Sequence, residues 1–440
     1  MMTYLRTLVL VGCVAAAAAC SGDNGVKEPD GGGMVCKGNA DCTESGKAVC
    51  DLDGTKVCVQ CTPTMDSACL KDSKTPVCGG TTCRGCTSHS ECPESDTCLP
   101  DGSCALPAAV VYLSPGGVNG PCTKTAPCGK GMDAVDEIKA DRPYLRVSGT
   151  IADGDMVINN KVVTLLGDET AVLNGSGGRV ILDIKDDMPA MLATLVKVFD
   201  VQVVNADNAG VKVDDGATLE LHRSKVLNSK FEGVLVASGN ALIEQSEVSG
   251  TIQMDRYGIQ LNVGELKLSR SKVADNRGGG IFITSGRKFD IVNSFIVHNM
   301  VNGGLSAEQP GADSVFAFNT LAKNENPGTG LADAGGIYCD DPAFTFANNI
   351  IYGNTGGNGG FLQTVGGCKF DGSYVSPNNV ADTADLKFKD ATASDYHLTA
   401  ASPAIVKNVA TATCPGLVDY DGDSRPLGGN CELGADEIKE

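Results

Sequence analysis

A glycine followed by alternating apolar residues returns again and again along this 440-residue chain. It reads Gly210-Val211-Lys212-Val213, Gly233-Val234-Leu235-Val236, Gly258-Ile259-Gln260-Leu261 and Gly280-Ile281-Phe282-Ile283. It continues, with drift, at Gly304-Leu305, Gly336-Ile337-Tyr338-Cys339 and Gly360-Phe361. Most steps are 22 to 25 residues, and one, from Gly304 to Gly336, is longer. Alternation with period two marks strands rather than helices. A strand at this interval fits one coil of a parallel β-helix, in which equivalent residues stack about 4.8 Å apart. The 55 glycines, against an ordinary share near 7%, fit a chain with many tight turns.

A second strand carries the same period. Ser224, Ser246, Ser271, Ser294, Asn319 and Asn349 form one column. Val226, Val248, Val273, Ile296, Leu321 and Ile351 follow two residues later, and Leu221, Ile243, Leu268, Ile291, Phe316 and Phe346 precede by three. Asn276, Asn299, Asn324 and Asn354 align five residues after the column, as a ladder of turn asparagines able to tolerate left-handed backbone. Each coil has an open face that only its neighbour buries, so the ends need caps. Asp133 to Lys139 is an amphipathic stretch suited to covering the first coil. The register is weakest from Ile181 to Val211, and an insertion is expected near Asn324 to Asp333.

Over residues 109–440 the pattern resembles the pectin-lyase-like superfamily. The fold implied is all-β: a right-handed, single-stranded parallel β-helix (a solenoid), preceded by a small disulfide-rich repeat region. The entry strand Val111-Tyr112-Leu113-Ser114-Pro115-Gly116 is similar to the superfamily's usual opening. Asp395-Tyr396-His397-Leu398, Ser402-Pro403-Ala404-Ile405, Asp419-Tyr420-Asp421-Gly422, Arg425-Pro426 and Gly434-Ala435-Asp436-Glu437 resemble the C-terminal block of bacterial surface β-helix proteins. That superfamily includes polysaccharide lyases, polygalacturonases and non-catalytic adhesins, so the fold leaves function open.

The N-terminus reads as a signal peptide over 1–19, with Arg6 before a short apolar run. Ala17-Ala18-Ala19-Cys20 resembles a lipoprotein processing site, which makes Cys20 the lipidated residue. Cys13 fits the consensus letters, but cleavage there leaves too short an apolar core. Ser21 implies, by the same resemblance, sorting to the bacterial outer membrane. An unanchored secreted protein is the alternative. Residues 20–35 then form a flexible tether.

Twelve of the 20 cysteines lie within 36–104, in three sets of four. Units of about 25 residues are too small to bury a core, so about two disulfides each are expected to hold them. A four-thiolate zinc site at Cys58, Cys61, Cys83 and Cys86 is the competing reading. The units resemble the Cys-rich repeats near the anchor of myxobacterial-type surface lipoproteins, which implies a stalk. Further along, sequence order pairs Cys122 with Cys128, Cys339 with Cys368, and Cys414 with Cys431. Cys339 sits at an inward strand position, so a buried free thiol is its other reading.

Along the glycine-led strands the outward residues are Lys212, Leu235, Gln260, Phe282, Ser306, Tyr338 and Leu362, and then Asp214, Ala237, Asn262, Thr284, Glu308, Asp340 and Thr364. Gln260, Asn262, Phe282, Thr284 and Tyr338 are the candidate ligand-binding residues, with the two rings stacking on sugars. Glu308 and Asp340, expected on adjacent coils, are the candidate catalytic pair, near the roughly 5 Å carboxylate separation of retaining glycosidases. Asp419, Asp421 and Asp423 alternate around a glycine like half a Ca²⁺ loop, so Ca²⁺ is the one cofactor considered. Asp255 is expected to pair with Arg277. Asp275 stacked on His298 is read as a turn contact, with general-base chemistry as the alternative.

A net charge of −19 opposes nucleic acid as a partner. The reading is a monomeric, non-catalytic lipoprotein, held by its lipid anchor in the membrane, whose β-helix binds a glycan or another cell surface as an adhesin does. The alternative is a polysaccharide lyase or glycoside hydrolase acting on an acidic polysaccharide.

Overall fold

The structure, a computed structural model, describes residues 35–44, 46–71, 74–175, 177–187, 193–328, 333–357, 363–376, 385–407, 418–426 and 430–438. The leader, Cys13, Cys20, most of the tether and Cys414 lie outside these residues. No helix among them is long and apolar enough to cross a membrane.

The chain forms a right-handed parallel β-helix of three sheets. Sheet A has nine strands, from Met156–Asn159 to Thr364–Val365, and holds the glycine-led segments that start at Val211, Val234, Ile259, Ile281, Leu305 and Ile337. Sheet B has eleven, from Val110–Leu113 to Lys369–Asp371, and sheet C ten, from Thr150–Ile151 to Tyr374–Val375. A coil visits A, B and C in turn, as in Val234–Val236, Gly239–Glu244 and Glu247–Ser249. Every strand pairs in parallel with its counterpart one coil away, and the columns follow. Leu221, Ile243, Leu268, Ile291 and Phe316 align in sheet B, and Val226, Val248, Val273, Ile296, Leu321 and Ile351 in sheet C. These inward side chains belong to one continuous core. The first coils bury Ala134, Val135 and Ile138 of the short helix Gly131–Glu137 and the residue after it, as expected of Asp133 to Lys139.

Polar ladders satisfy the buried corners between sheets. The side-chain oxygen of each column residue accepts the backbone N–H of its counterpart one coil earlier: Ser224 N to Ser246 Oγ (3.1 Å), Ser271 N to Ser294 Oγ (3.2 Å), Asn319 N to Asn349 Oδ1 (2.8 Å). The asparagine ladder repeats this from Asn276 to Asn299, Asn324 and Asn354, and Gln363 Oε1 ends it, accepting from Asn354 N at 3.0 Å. One expectation needs correcting. The left-handed residue is the one before each asparagine: Asp275, His298 and Lys323 have φ of 55°, 55° and 56°. The asparagine itself spends its amide on the ladder.

The cysteine units pair first-to-third and second-to-fourth: Cys36–Cys50 and Cys42–Cys58, Cys61–Cys78 and Cys69–Cys83, Cys86–Cys98 and Cys92–Cys104. This removes the zinc reading, because all four of its thiolates are in disulfides. Cys122–Cys128 and Cys339–Cys368 pair as expected, so Cys339 is not a free thiol. Cys431 is disulfide-bonded as well. The 36–104 region does not behave as one body. The first two units form a compact body of their own, and the third belongs with the solenoid.

The third unit docks on the outer side of the first sheet B strands. Tyr112 Oη donates to Ser95 O (2.7 Å), and Arg146 Nε to Asp96 O (3.1 Å). His89 Nδ1 accepts from Cys98 N (3.0 Å) while Nε2 meets Gly167 O at 2.6 Å, which assigns the proton to Nε2. Burial and the nearby Arg146 guanidinium hold the imidazole pKa below its ordinary value.

The C-terminal block lies along the flank of the solenoid. Tyr396 and Ala435 pack with Ala274, Phe295, Val297 and Ala322 on the outward side of sheet C. Arg425 sits 4.6 Å over the Phe318 ring and donates to Asn293 Oδ1 (3.0 Å). Arg425 and Glu437 form an ion pair at 2.8 Å, both side chains fully buried.

Candidate functional site

Sheet A presents the outward column anticipated from the sequence. Lys212, Leu235, Gln260, Phe282, Ser306 and Tyr338 are consecutive register partners. The last coil is a correction. Tyr338 pairs with Val365 and Ile337 with Thr364, so the strand begins after Gln363 rather than at Gly360. Phe361 and Leu362 lie outside the described residues, and Thr364 is not in the outward column assigned to it.

Residues of three coils meet in a pocket of about 270 Å³ lined by Asn208, Phe231, Glu232, Leu235, Arg256, Gln260 and Asn262. Gln260 and Asn262 were expected on this face, and Gln260 Nε2 donates to Asn262 Oδ1 at 2.9 Å. Arg256 was not. It packs 5.2 Å over the Phe231 ring, and its Nη1 donates to Glu232 Oε1 at 3.0 Å. Glu232 is buried, so the ion pair is anchored from below, while the arginine side chain stays 39% exposed. The signal was available: Asn208, Phe231 and Arg256 each stand two residues before the repeating glycine, and so form a column that lines the rim. Asp255 lies 3.6 Å from Arg256, which replaces the expected pairing with Arg277.

Beside the pocket, Tyr257 and Phe282 stack at 5.1 Å with an interplanar angle of 28°. Gly279 makes room for this pair. Its φ is +132°, and a Cβ there would lie 2.7 Å from the Tyr257 ring. Burial pushes the Tyr257 hydroxyl up to about 12, so it stays a neutral donor. The pocket thus combines amide and guanidinium groups with an aromatic shelf. Such a surface is suited to the hydroxyls and the apolar face of a small polar ring. Thr284 follows on the next coil and does not line the pocket.

Glu308 and Asp340 do fall on adjacent coils: Asp340 N donates to Glu308 O at 2.8 Å. Both side chains are exposed, and among the described residues no side-chain hydrogen bond or ion pair orients either carboxylate. Tyr338 is beside them. Its hydroxyl pKa is raised by burial and by these two carboxylates. At the other end of the face, Lys212 pairs with Asp214 at 2.6 Å, so the one basic residue of the outward columns is already neutralised.

The three acids read as half a Ca²⁺ loop do not converge. Asp419 is fully buried, and its oxygens accept from Gly422 N (3.0 Å), Asp423 N (2.8 Å) and Glu437 N (2.9 Å), which makes it the keystone of a turn. Asp421 points instead to His397 and Asp436: the ligand atoms of these three residues lie within 4.8 Å of one another. Burial works against the charged imidazole of His397, but Asp395, Asp436 and Asp421 outweigh it and raise its pKa. Burial pushes the Asp436 carboxyl up to about 7. His298, by contrast, has a structural role, with its Nε2 2.6 Å from the Tyr396 hydroxyl.

A larger groove, about 850 Å³, runs between the third cysteine unit and sheet B. Its charges are largely paired. Arg146 meets Asp168 at 2.6 Å, and Arg223 grips Asp200 through Nε (2.9 Å) and Nη2 (2.8 Å). It reads as the seam of the docked unit.

Residues 234–393 match the family described as right handed beta helix region. Among solved structures the chain is similar to a crystal structure of pectate lyase Pel9A. Identity is 14% and the TM-score 0.48, over 75% of this chain and 96% of that one. No curated protein matches the chain in sequence.

Proposed function

We propose that this protein binds glycans through the outward face of sheet A, and that it is displayed on a bacterial surface as a lipoprotein anchored at Cys20. The observation that carries the reading is the Arg256 pocket beside the Tyr257–Phe282 stack. At about 270 Å³ it lies near the small end of ligand sites, roughly 300 Å³, and is sized for a single sugar unit. The Glu232 partner leaves Arg256 as an oriented hydrogen-bond donor more than as a free positive charge, which suits sugar hydroxyls. Glycan-array screening followed by calorimetry on the purified full chain tests this. Binding that falls at least tenfold in Arg256→Ala and in Phe282→Ala supports it. Absence of binding to any glycan, or binding indifferent to both substitutions, overturns it.

The adjacency of Glu308 and Asp340 supports a second reading, hydrolysis or elimination on an acidic polysaccharide. Reducing-sugar and unsaturated-product assays, with and without Ca²⁺, address it. Turnover abolished by Glu308→Gln and Asp340→Asn establishes an enzyme. Turnover at full rate in both variants excludes these residues as its catalysts.

A further inference from the structure

The C-terminal block brings together a set of side chains that the glycan-binding reading does not use. His397 Nδ1 is hydrogen-bonded to Asp395 Oδ1, which fixes the ring and leaves Nε2 facing inward. That Nε2 is buried and has no hydrogen-bond partner among the described residues. It lies 3.4 Å from Asp421 Oδ1, and a carboxylate oxygen of Asp436 completes a triangle with no side above 4.8 Å. Asp436 is 4% exposed, and its Oδ2 accepts from Leu398 N at 2.8 Å, so that carboxylate is itself held in place. Phe295 and Tyr420 wall the imidazole on two sides, at 5.1 and 5.5 Å, while the Asp421 side chain remains 41% exposed and leaves a way in.

We propose that His397 Nε2, Asp421 and Asp436 bind a divalent transition-metal ion of the zinc type, with Asp395 as the residue that positions the histidine. The donor set fits: one imidazole nitrogen and two carboxylates suit a borderline ion, and a ring whose second nitrogen is tied to a carboxylate is the usual support for a ligating histidine. The dimensions fit as well. Ligands at about 2.1 Å in a tetrahedron stand roughly 3.4 Å apart, which is the Nε2 to Asp421 spacing, and the two edges to Asp436 lie within 4.8 Å. The three ligands come from three separate segments of the block, the Asp395–His397 stretch, the turn after Asp419, and the run after Gly434. The ion therefore ties together the segments that pack on sheet C and the neighbouring corner.

Titration of the purified, metal-stripped full chain with ZnCl₂ by calorimetry, and with CoCl₂ by visible spectroscopy, tests this directly. The expected result is one equivalent bound, a visible Co²⁺ spectrum displaced by Zn²⁺, and a rise in unfolding temperature with added Zn²⁺. His397→Gln should abolish the Co²⁺ spectrum. Asp395→Asn should weaken binding about 10- to 100-fold, as loss of a supporting carboxylate does elsewhere. Asp421→Asn, at the exposed ligand, keeps the test valid if a buried variant fails to fold: it should lower affinity at least tenfold while leaving the circular dichroism of the metal-free protein unchanged. Absence of saturable binding to wild type overturns the proposal. So does Zn²⁺ binding of equal affinity in the His397→Gln and Asp421→Asn variants.

Discussion

The first two cysteine units and the solenoid solve the same problem in opposite ways. Each unit has about 25 residues and two crossed disulfides around little more than the half-cystines, as in the Cys36, Cys42 and Cys50 cluster. The solenoid has a continuous apolar core from Val111 to Ile351, and polar ladders in which each step repeats the last. The small units are constrained by cutting the entropy of the unfolded chain, the solenoid by burial and hydrogen bonding spread over many equivalent coils. The third unit stands between them: stapled like the first two, but docked on sheet B through Tyr112, Arg146 and His89.

The contrast predicts where single changes act. The largest effect is expected for Cys69→Ser combined with Cys83→Ser. Loss of about 2–4 kcal/mol should unfold a unit with no other core, read as protease cleavage within 61–83 while solenoid dichroism persists. Next comes Glu437→Gln. It leaves Arg425 charged and buried without its partner, which costs about 3–5 kcal/mol. Denaturant unfolding should lose that amount, and cleavage should appear after residue 385 before the coils open. Asn299→Ala removes one ladder step and leaves the buried Asn276 N without the side-chain oxygen it donates to, at about 1–3 kcal/mol.

Smaller still is a pH effect at the docked third unit. The folded-state pKa of His89 is below its unfolded value, so its contribution to stability is present above about 6.5 and is lost as pH falls through the folded-state value. Protonation would place a second N–H on Nδ1, against the Cys98 N–H it now accepts from; Arg146 adds repulsion, while Asp168 and Asp200 oppose it. Residues 86–104 should therefore become protease-sensitive at pH 5, and His89→Gln should blunt the pH dependence. Gln260→Ala, at an outward position of sheet A whose only side-chain bond stated here is to Asn262, should leave unfolding within about 0.5 kcal/mol of wild type while weakening glycan binding.

Most of the solenoid was legible because stacking demands like residues at like positions. Val226, Val248 and Val273 could be aligned by eye, and the ladder partners followed from that alignment. The last coil was misplaced because glycine was used as its marker, whereas the strand there starts at Thr364 and Gln363 replaces the ladder asparagine. Of the candidate site, Gln260, Asn262 and Phe282 were legible as strand positions. Arg256 and Tyr257 lie in the turn before the strand, where side-chain direction does not follow period two, so Arg256 was legible as a member of the column before the glycine but its place on the pocket rim was not. The C-terminal contacts were out of reach for another reason. Asn293 and Arg425 meet across 132 residues, and no local pattern encodes such a pair.

Hydrogen–deuterium exchange on the full chain, before and after disulfide reduction, tests the central contrast most directly. The account predicts that amides of residues 36–83 lose protection on reduction, while the backbone N–H groups of Asn276, Asn299 and Asn324 remain protected. Simultaneous loss of protection in both regions would contradict it.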